Sequence, residues 1–145
     1  MKAYSLGLML CLVSSLSYAN PYTTTKQQVR KELLSCVNSP DSAFSAAFNQ
    51  CVIESATAFQ QAADRAIQKR IAKGETGLAN DRQIYHATIR DCSKQEKLSF
   101  AGYTYAAQCQ LKRSQDYYRY SMSSEMPKQD NWTETNRIDQ LYLSY

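Results

Sequence analysis

Glycine and proline are scarce in this 145-residue chain, with four Gly and three Pro. Folds made of many tight turns draw heavily on both, so their scarcity argues against a β-sandwich or barrel and for helices. Histidine occurs once, as His86. No Gly-x-Ser-x-Gly or His-Glu-x-x-His pattern accompanies it, so it reads as an ordinary boundary histidine and the chain is not expected to be an enzyme. No Cys-x-x-Cys pair is present, which removes the usual redox dithiol. No segment reaches the ~20 apolar residues that a membrane span needs. What is there is ordinary for a globular chain: 43% apolar and 21% charged residues, with a formal net charge of +4.

The first segment reads as an address. Met1-Lys2 is a short basic start, Leu6 to Val13 is an apolar core, and Ser17-Tyr18-Ala19 places small residues where a signal peptidase reads. Residues 1–19 are therefore expected to be a signal peptide, cut between Ala19 and Asn20, and the protein to be periplasmic or secreted. Leu10 is too large to precede a lipidated Cys11. The remaining 20–145 suits one domain, divided here into a helical part over 20–122 and a linker with a short amphipathic tail over 123–145. Export, with a net charge one lower once Lys2 is lost, argues against a nucleic-acid partner.

Four cysteines remain: Cys36, Cys51, Cys92 and Cys109. An even number in an exported chain reads as two disulfides, and the wide spacings lack the close ligand pairs of a zinc site. No metal or cofactor is expected.

Apolar periodicity predicts an all-α fold, a small disulfide-stapled bundle of three to four helices with a short C-terminal tail helix. Val29, Leu33, Cys36 and Val37 mark a first helix over about 25–37, stopped by Pro40. Phe44, Phe48, Cys51, Ser55, Phe59, Ala62 and Ala66 mark a long second helix, extended by Ile67 and Ile71 and ended at Gly74. Asn80 or Asp81 is expected to cap a third, carrying Ile84, Tyr85, Thr88, Ile89 and Cys92. Tyr103, Ala107, Leu111, Ser114, Tyr118 and Met122 mark a fourth, and Ile138, Leu141, Tyr142 and Tyr145 a tail helix capped by Thr133. No internal repeat is evident. Antiparallel second and third helices would gather all four cysteines at one pole. Of the three pairings, Cys36–Cys92 with Cys51–Cys109 is favoured, because each bond would tie a different pair of helices across the bundle. The alternative, Cys36–Cys51 with Cys92–Cys109, links only sequence neighbours.

Three surface features remain. Arg65, Lys69 and Lys73 share one helical face, with Arg70 beside them. They read as complements to a helix C-terminus, or as a weak dock for an anionic surface such as glycan or lipid headgroups. Nine of the 11 tyrosines lie beyond residue 19. Tyr117, Tyr118 and Tyr120 point in several directions around one helix, so they cannot all be core. With Arg113 and Arg119 they form a candidate protein-binding surface. Asp64/Arg65 and Glu96/Lys97 read as solvated pairs.

Phe48-Asn49-Gln50-Cys51 opens the long Ala/Gln-rich helix, Gln83, Tyr85 and Arg90-Asp91-Cys92 follow, and Cys109 has Arg113 close behind. Over Ser35 to Met122 this layout resembles the LprI-type family of small exported four-cysteine proteins. It departs from the family in having Tyr85 where Trp is usual and in abutting Arg90-Asp91 to Cys92. The resemblance implies a binding protein without catalysis that inhibits a lysozyme-like cell-wall hydrolase. A polar loop would then enter an active-site cleft, and Lys73-Gly74-Glu75-Thr76-Gly77 is the candidate, with Lys73 or Thr76 meeting paired carboxylates. The other expectation is an envelope adaptor that binds another protein through its tyrosine face and tail.

Overall fold

Asn20 and Pro21 start the first helix a turn earlier than the apolar stripe suggests. In a computed structural model that describes residues 20–43, 45–97 and 102–125, the Asn20 side chain accepts hydrogen bonds from the backbone N–H of Tyr22 (2.9 Å) and Thr23 (3.4 Å). Pro21 takes the first helical position, where a missing N–H costs nothing. Helix α1 therefore spans Pro21–Val37. Residues 1–19, expected to be a signal peptide, Phe44, residues 98–101, and residues 126–145, over which the tail helix and most of its linker were expected, lie outside the described residues.

Helix α2 spans Ser45–Ala72 and stops where the second half of the chain was expected to turn. Gly74 adopts φ 93°, the Gly74 N–H donates to the Ile71 carbonyl (2.9 Å), and the Glu75 N–H donates to the Arg70 carbonyl (3.2 Å). This pair of bonds satisfies the last carbonyls of the helix, and only glycine takes that backbone geometry without strain. Helix α3, Leu78–Asp91, begins before the expected Asn80 or Asp81 cap. Gly77, at φ 83°, holds the cap position, and its carbonyl accepts from the N–H groups of Asn80 (3.1 Å) and Asp81 (3.2 Å). Asp81 is thereby freed for a side-chain contact described below. Helix α4 spans Gly102–Ser121. Pro40–Ala43 and Cys92–Lys97 are short 3-10 helices, and among the described residues there is no strand.

Side-chain pairs give the topology. Asn49 bonds Thr104 (3.0 Å), Gln60 bonds Ser114 (3.1 Å) and Asp64 accepts from Tyr117 (2.7 Å), so α2 and α4 run parallel. Ala56, Ala63, Ala107, Ser114 and Ser121 are buried, and such small side chains allow a short interaxial distance. Helices α1 and α3 run the opposite way and flank this pair on its two sides. Tyr118 of α4 stacks on Tyr22 of α1 (centroids 5.2 Å apart) and tilts against Phe59, and its hydroxyl donates to the Tyr22 carbonyl (2.8 Å). Its neighbour Tyr117, about 100° further round the helix, stacks on Tyr85 of α3 (4.9 Å).

This arrangement corrects several expectations. The disulfides are Cys36–Cys51 and Cys92–Cys109, with Cα–Cα distances of 5.8 and 5.5 Å, and not Cys36–Cys92 with Cys51–Cys109. The cysteines do gather at one pole, but the α2–α4 pair stands between α1 and α3, so each bond closes one helical hairpin. Tyr117 and Tyr118 are both fully buried, because a helix covered on two sides buries a wide arc. Ile84 (53% exposed), Ile71 (40%) and Tyr103 (42%), assigned above to apolar stripes, face outward. On α3 the packed positions are Leu78, Tyr85 and Ile89, and Ile84 falls off that arc.

A repeat of form also emerges. Each half is a helix, a cysteine near its end, a connection, and a second helix with a cysteine about two turns in. Tyr22, Leu33 and Cys36 stand at one constant interval from Leu78, Ile89 and Cys92, and all six are packed or bridged positions.

Two outcomes follow for the folded chain. Proteolytic mapping without reduction should recover Cys36–Cys51 and Cys92–Cys109 peptides, and removing either bond by paired Ser substitution should cost about 3 kcal/mol in a denaturant melt. Asn20→Ala should cost about 1 kcal/mol through loss of the α1 cap, with little change in helical signal.

Candidate functional site

The pole opposite the disulfides is held by noncovalent contacts, an ion pair and hydrogen bonds among them, and a cluster of charged groups lies there and along α3. Asp64 of α2 is its centre. Its Oδ1 accepts from Arg82 Nε (2.9 Å), from the Tyr117 hydroxyl (2.7 Å) and stands 2.9 Å from His86 Nε2. Arg82 and His86 are one turn apart on α3, so both reach the same oxygen. Asp64 is therefore no solvated partner of Arg65. It joins three helices through one carboxylate.

The electrostatics follow from this geometry. Burial by itself raises the Asp64 pKa, but hydrogen bonds from His86 and Tyr117 and the charges of His86 and Arg82 outweigh it, leaving the pKa below the ordinary value. Tyr117 is pushed well above the ordinary tyrosine value, first by burial and then by its bond to Asp64 and that group's negative charge. It stays a neutral donor. Tyr85 is raised by burial and by the nearby charges of Asp116 and Asp81.

A second cluster closes the pole. Tyr120 donates its hydroxyl to Asp81, and this bond raises its pKa. Arg70 forks onto Glu75, Nε to Oε1 (3.0 Å) and Nη2 to Oε2 (2.6 Å), while its Nη1 donates to the carbonyls of Tyr120 and Ser121 (both 3.3 Å). One guanidinium thus satisfies the end of α4 and pins the loop after α2. The Asn20 Nδ2 donates to the Glu125 carbonyl (2.7 Å), tying the start of α1 to the same end.

The expected site residues divide as follows. Lys73, Gly74, Glu75, Thr76 and Gly77 are all exposed and form one loop. Arg65, Lys69 and Lys73 are exposed along α2. The tyrosine surface does not exist as expected: Arg113 is exposed and Arg119 and Tyr120 are half-buried, but Tyr117 and Tyr118 are core. Asp64, Arg82 and His86 escaped sequence reasoning as a group. Their only trace was the four-residue step from Arg82 to His86, which any helix surface can show.

The cluster fastens α2, α3 and α4 together through the Asp64 carboxylate. Asp64 and His86 make a carboxylate–imidazole pair, but Tyr117 is spent on the same carboxylate and no serine or cysteine nucleophile joins them among the bonds of the described residues. No group of three or more His, Cys, Asp or Glu side chains among the described residues could hold a metal ion. Comparison with protein-family models, with curated proteins and with solved structures returns no match.

Asp64→Asn should destabilise the bundle at neutral pH by about 2 kcal/mol, the scale of hydrogen bonds to a charged group. Because the folded pKa lies below the unfolded one, the Asp64 contribution is complete above the unfolded value of about 4 and fades as pH falls through the folded one. Urea melts of both proteins across that range should show the gap closing toward acid. A gap that is constant in pH would assign the loss to packing instead.

Proposed function

We propose that this is an exported binding protein without catalysis, which seats the 73–77 loop in the active-site cleft of a cell-wall hydrolase. The observation that carries this reading is the construction of the loop. Both its glycines take positive φ, and the Arg70–Glu75 fork holds its base against the end of α4. A loop already held in one shape loses little entropy when it enters a cleft. Beside the exposed Glu75, Lys73 and Thr76 are exposed on the loop and suited to the paired carboxylates of a glycoside hydrolase.

Further support comes from the signal-like start, from two disulfides that fit an oxidising compartment, and from the LprI-type resemblance, which supplies the hydrolase class. A strongly basic hydrolase would also need local negative charge on a partner whose net charge is positive. Asp81 and Asp116, which both act on Tyr85, bring negative charge to the α3–α4 side of the bundle. A periplasmic or secreted location belongs to the same proposal.

The adaptor reading survives in altered form. With Tyr117 and Tyr118 in the core, its aromatic contacts would be Tyr103 (42% exposed) and Tyr105 (55%) at the stapled pole.

Titration of the processed protein against lysozyme should abolish activity at micromolar inhibitor, and Lys73→Ala should raise the inhibition constant about tenfold, or ~1.4 kcal/mol. Full lysozyme activity in micromolar excess of the wild-type protein removes the inhibitor reading. An unchanged constant for Lys73→Ala moves the contact away from the loop.

A further inference from the structure

The polar contacts that attach α3 to the rest of the bundle share one chemistry. Among the described residues, every side-chain hydrogen bond from α3 to another helix has a carboxylate at one end. Arg82 and His86 reach Asp64 of α2, and Asp81 accepts from Tyr120 of α4, with Arg70 and Tyr85 near it. Facing Asp64 from α4 is the Tyr117 hydroxyl, bonded to the same oxygen as Arg82 and His86. The loop leading into α3 is pinned by another carboxylate, Glu75 on Arg70, with Lys73 also acting on it. Helix α1 is held differently: Tyr22 stacks on Tyr118, the Tyr118 hydroxyl bonds a backbone carbonyl, and the Asn20 amide bonds another. None of those groups is a carboxylate. Neutralising Asp64 also does more than break bonds. Arg82 and His86 lie one turn apart and each 2.9 Å from one oxygen. In acid the imidazole joins the guanidinium as a cation, and without the carboxylate between them the two repel.

We propose that α3 is an acid-released element: protonation of the Asp64 carboxylate lifts it from α2 and α4, while α1, α2 and α4 stay packed. Its two ends suit such a motion. Cys92 directly follows α3, and its bond to Cys109 keeps that end on α4. At the other end Gly74 and Gly77 have the backbone freedom of a joint. Lifting α3 uncovers an aromatic face. Tyr85 stacks on Tyr117 (4.9 Å) and tilts against Tyr120 (5.2 Å), and Leu78 and Ile89 are buried on the same helix. The direction follows from the charges. Asp64 is held below the ordinary carboxylate range by its partners, so attachment is complete at neutral pH and is lost only in acid, below about pH 4. The device stands apart from the hydrolase reading, since it needs no hydrolase.

Amide hydrogen exchange, read residue by residue on the processed, disulfide-intact protein and corrected for the intrinsic effect of pH, tests it. At neutral pH α1 and α3 should both be protected. At about pH 2.5 the amides of α3 should come within roughly tenfold of unprotected, while those of α1 and the middle of α2 keep at least about a hundredfold. Neutralisation should restore α3. Asp64→Asn should lower α3 protection at neutral pH by about thirtyfold, the scale of a hydrogen bond to a charged group. A second variant does not depend on that one folding. Asp64→Leu, Arg82→Leu, His86→Leu, Tyr117→Phe makes this seam apolar, as it is on the α1 side, and should hold α3 in the same acid. Loss of α1 and α3 protection together at one pH would be global acid unfolding and overturns the proposal. So does a wild-type α3 that stays protected in acid. Release of α3 from the apolar variant at the wild-type pH overturns it too, because the trigger then lies outside Asp64.

Discussion

Small side chains along the contact between α2 and α4 set the terms for everything else. Ala56, Ala63, Ala107, Ser114 and Ser121 are buried there, and their size lets two parallel helices lie close. With that pair at the centre, α1 and α3 can only take the two outer grooves. Tyr118 then belongs to one groove and Tyr117 to the other, although they are adjacent in sequence. The same separation keeps Cys36 from Cys92, because α1 and α3 lie on opposite sides of the central pair.

The two grooves are filled differently. On the α1 side, Tyr22, Val29, Phe59, Tyr118 and Met122 bury aromatic and aliphatic surface with one hydroxyl bonded to a backbone carbonyl. On the α3 side, Asp64, Arg82, His86 and Tyr117 supply charged hydrogen bonds in a matching location. The hairpin geometry can therefore be built from apolar residues, and the ionic version on α3 is not a demand of the fold. The poles differ as well. Covalent bonds hold one end, and Arg70, Tyr120 and Asn20 hold the other, where the loop and the basic strip are exposed.

Helical class, the C-terminal end of α2 and the clustering of cysteines at one pole were legible because each rests on local rules. A 3.6-residue apolar period, a glycine able to take positive φ, and an even cysteine count all act over short stretches. The start of α1 was also legible in principle, from Asn20-Pro21, but the apolar stripe drew the boundary inward. Ile84 was misplaced because a short helix offers two plausible apolar arcs, and only the position of α4 chooses between them. Asp64 looked like a solvated acid because nothing near it in sequence announces Arg82, His86 or Tyr117.

Alone, the sequence determined that the chain folds as helices, where the longest helix stops and which cysteines share an end, since periodicity and backbone preference are properties of short segments. The tertiary structure decided which cysteine meets which, which tyrosines are core, and that one carboxylate joins three helices. Those outcomes depend on which helix lies beside which, and that depends on how closely α2 and α4 approach, a property of two surfaces far apart in sequence.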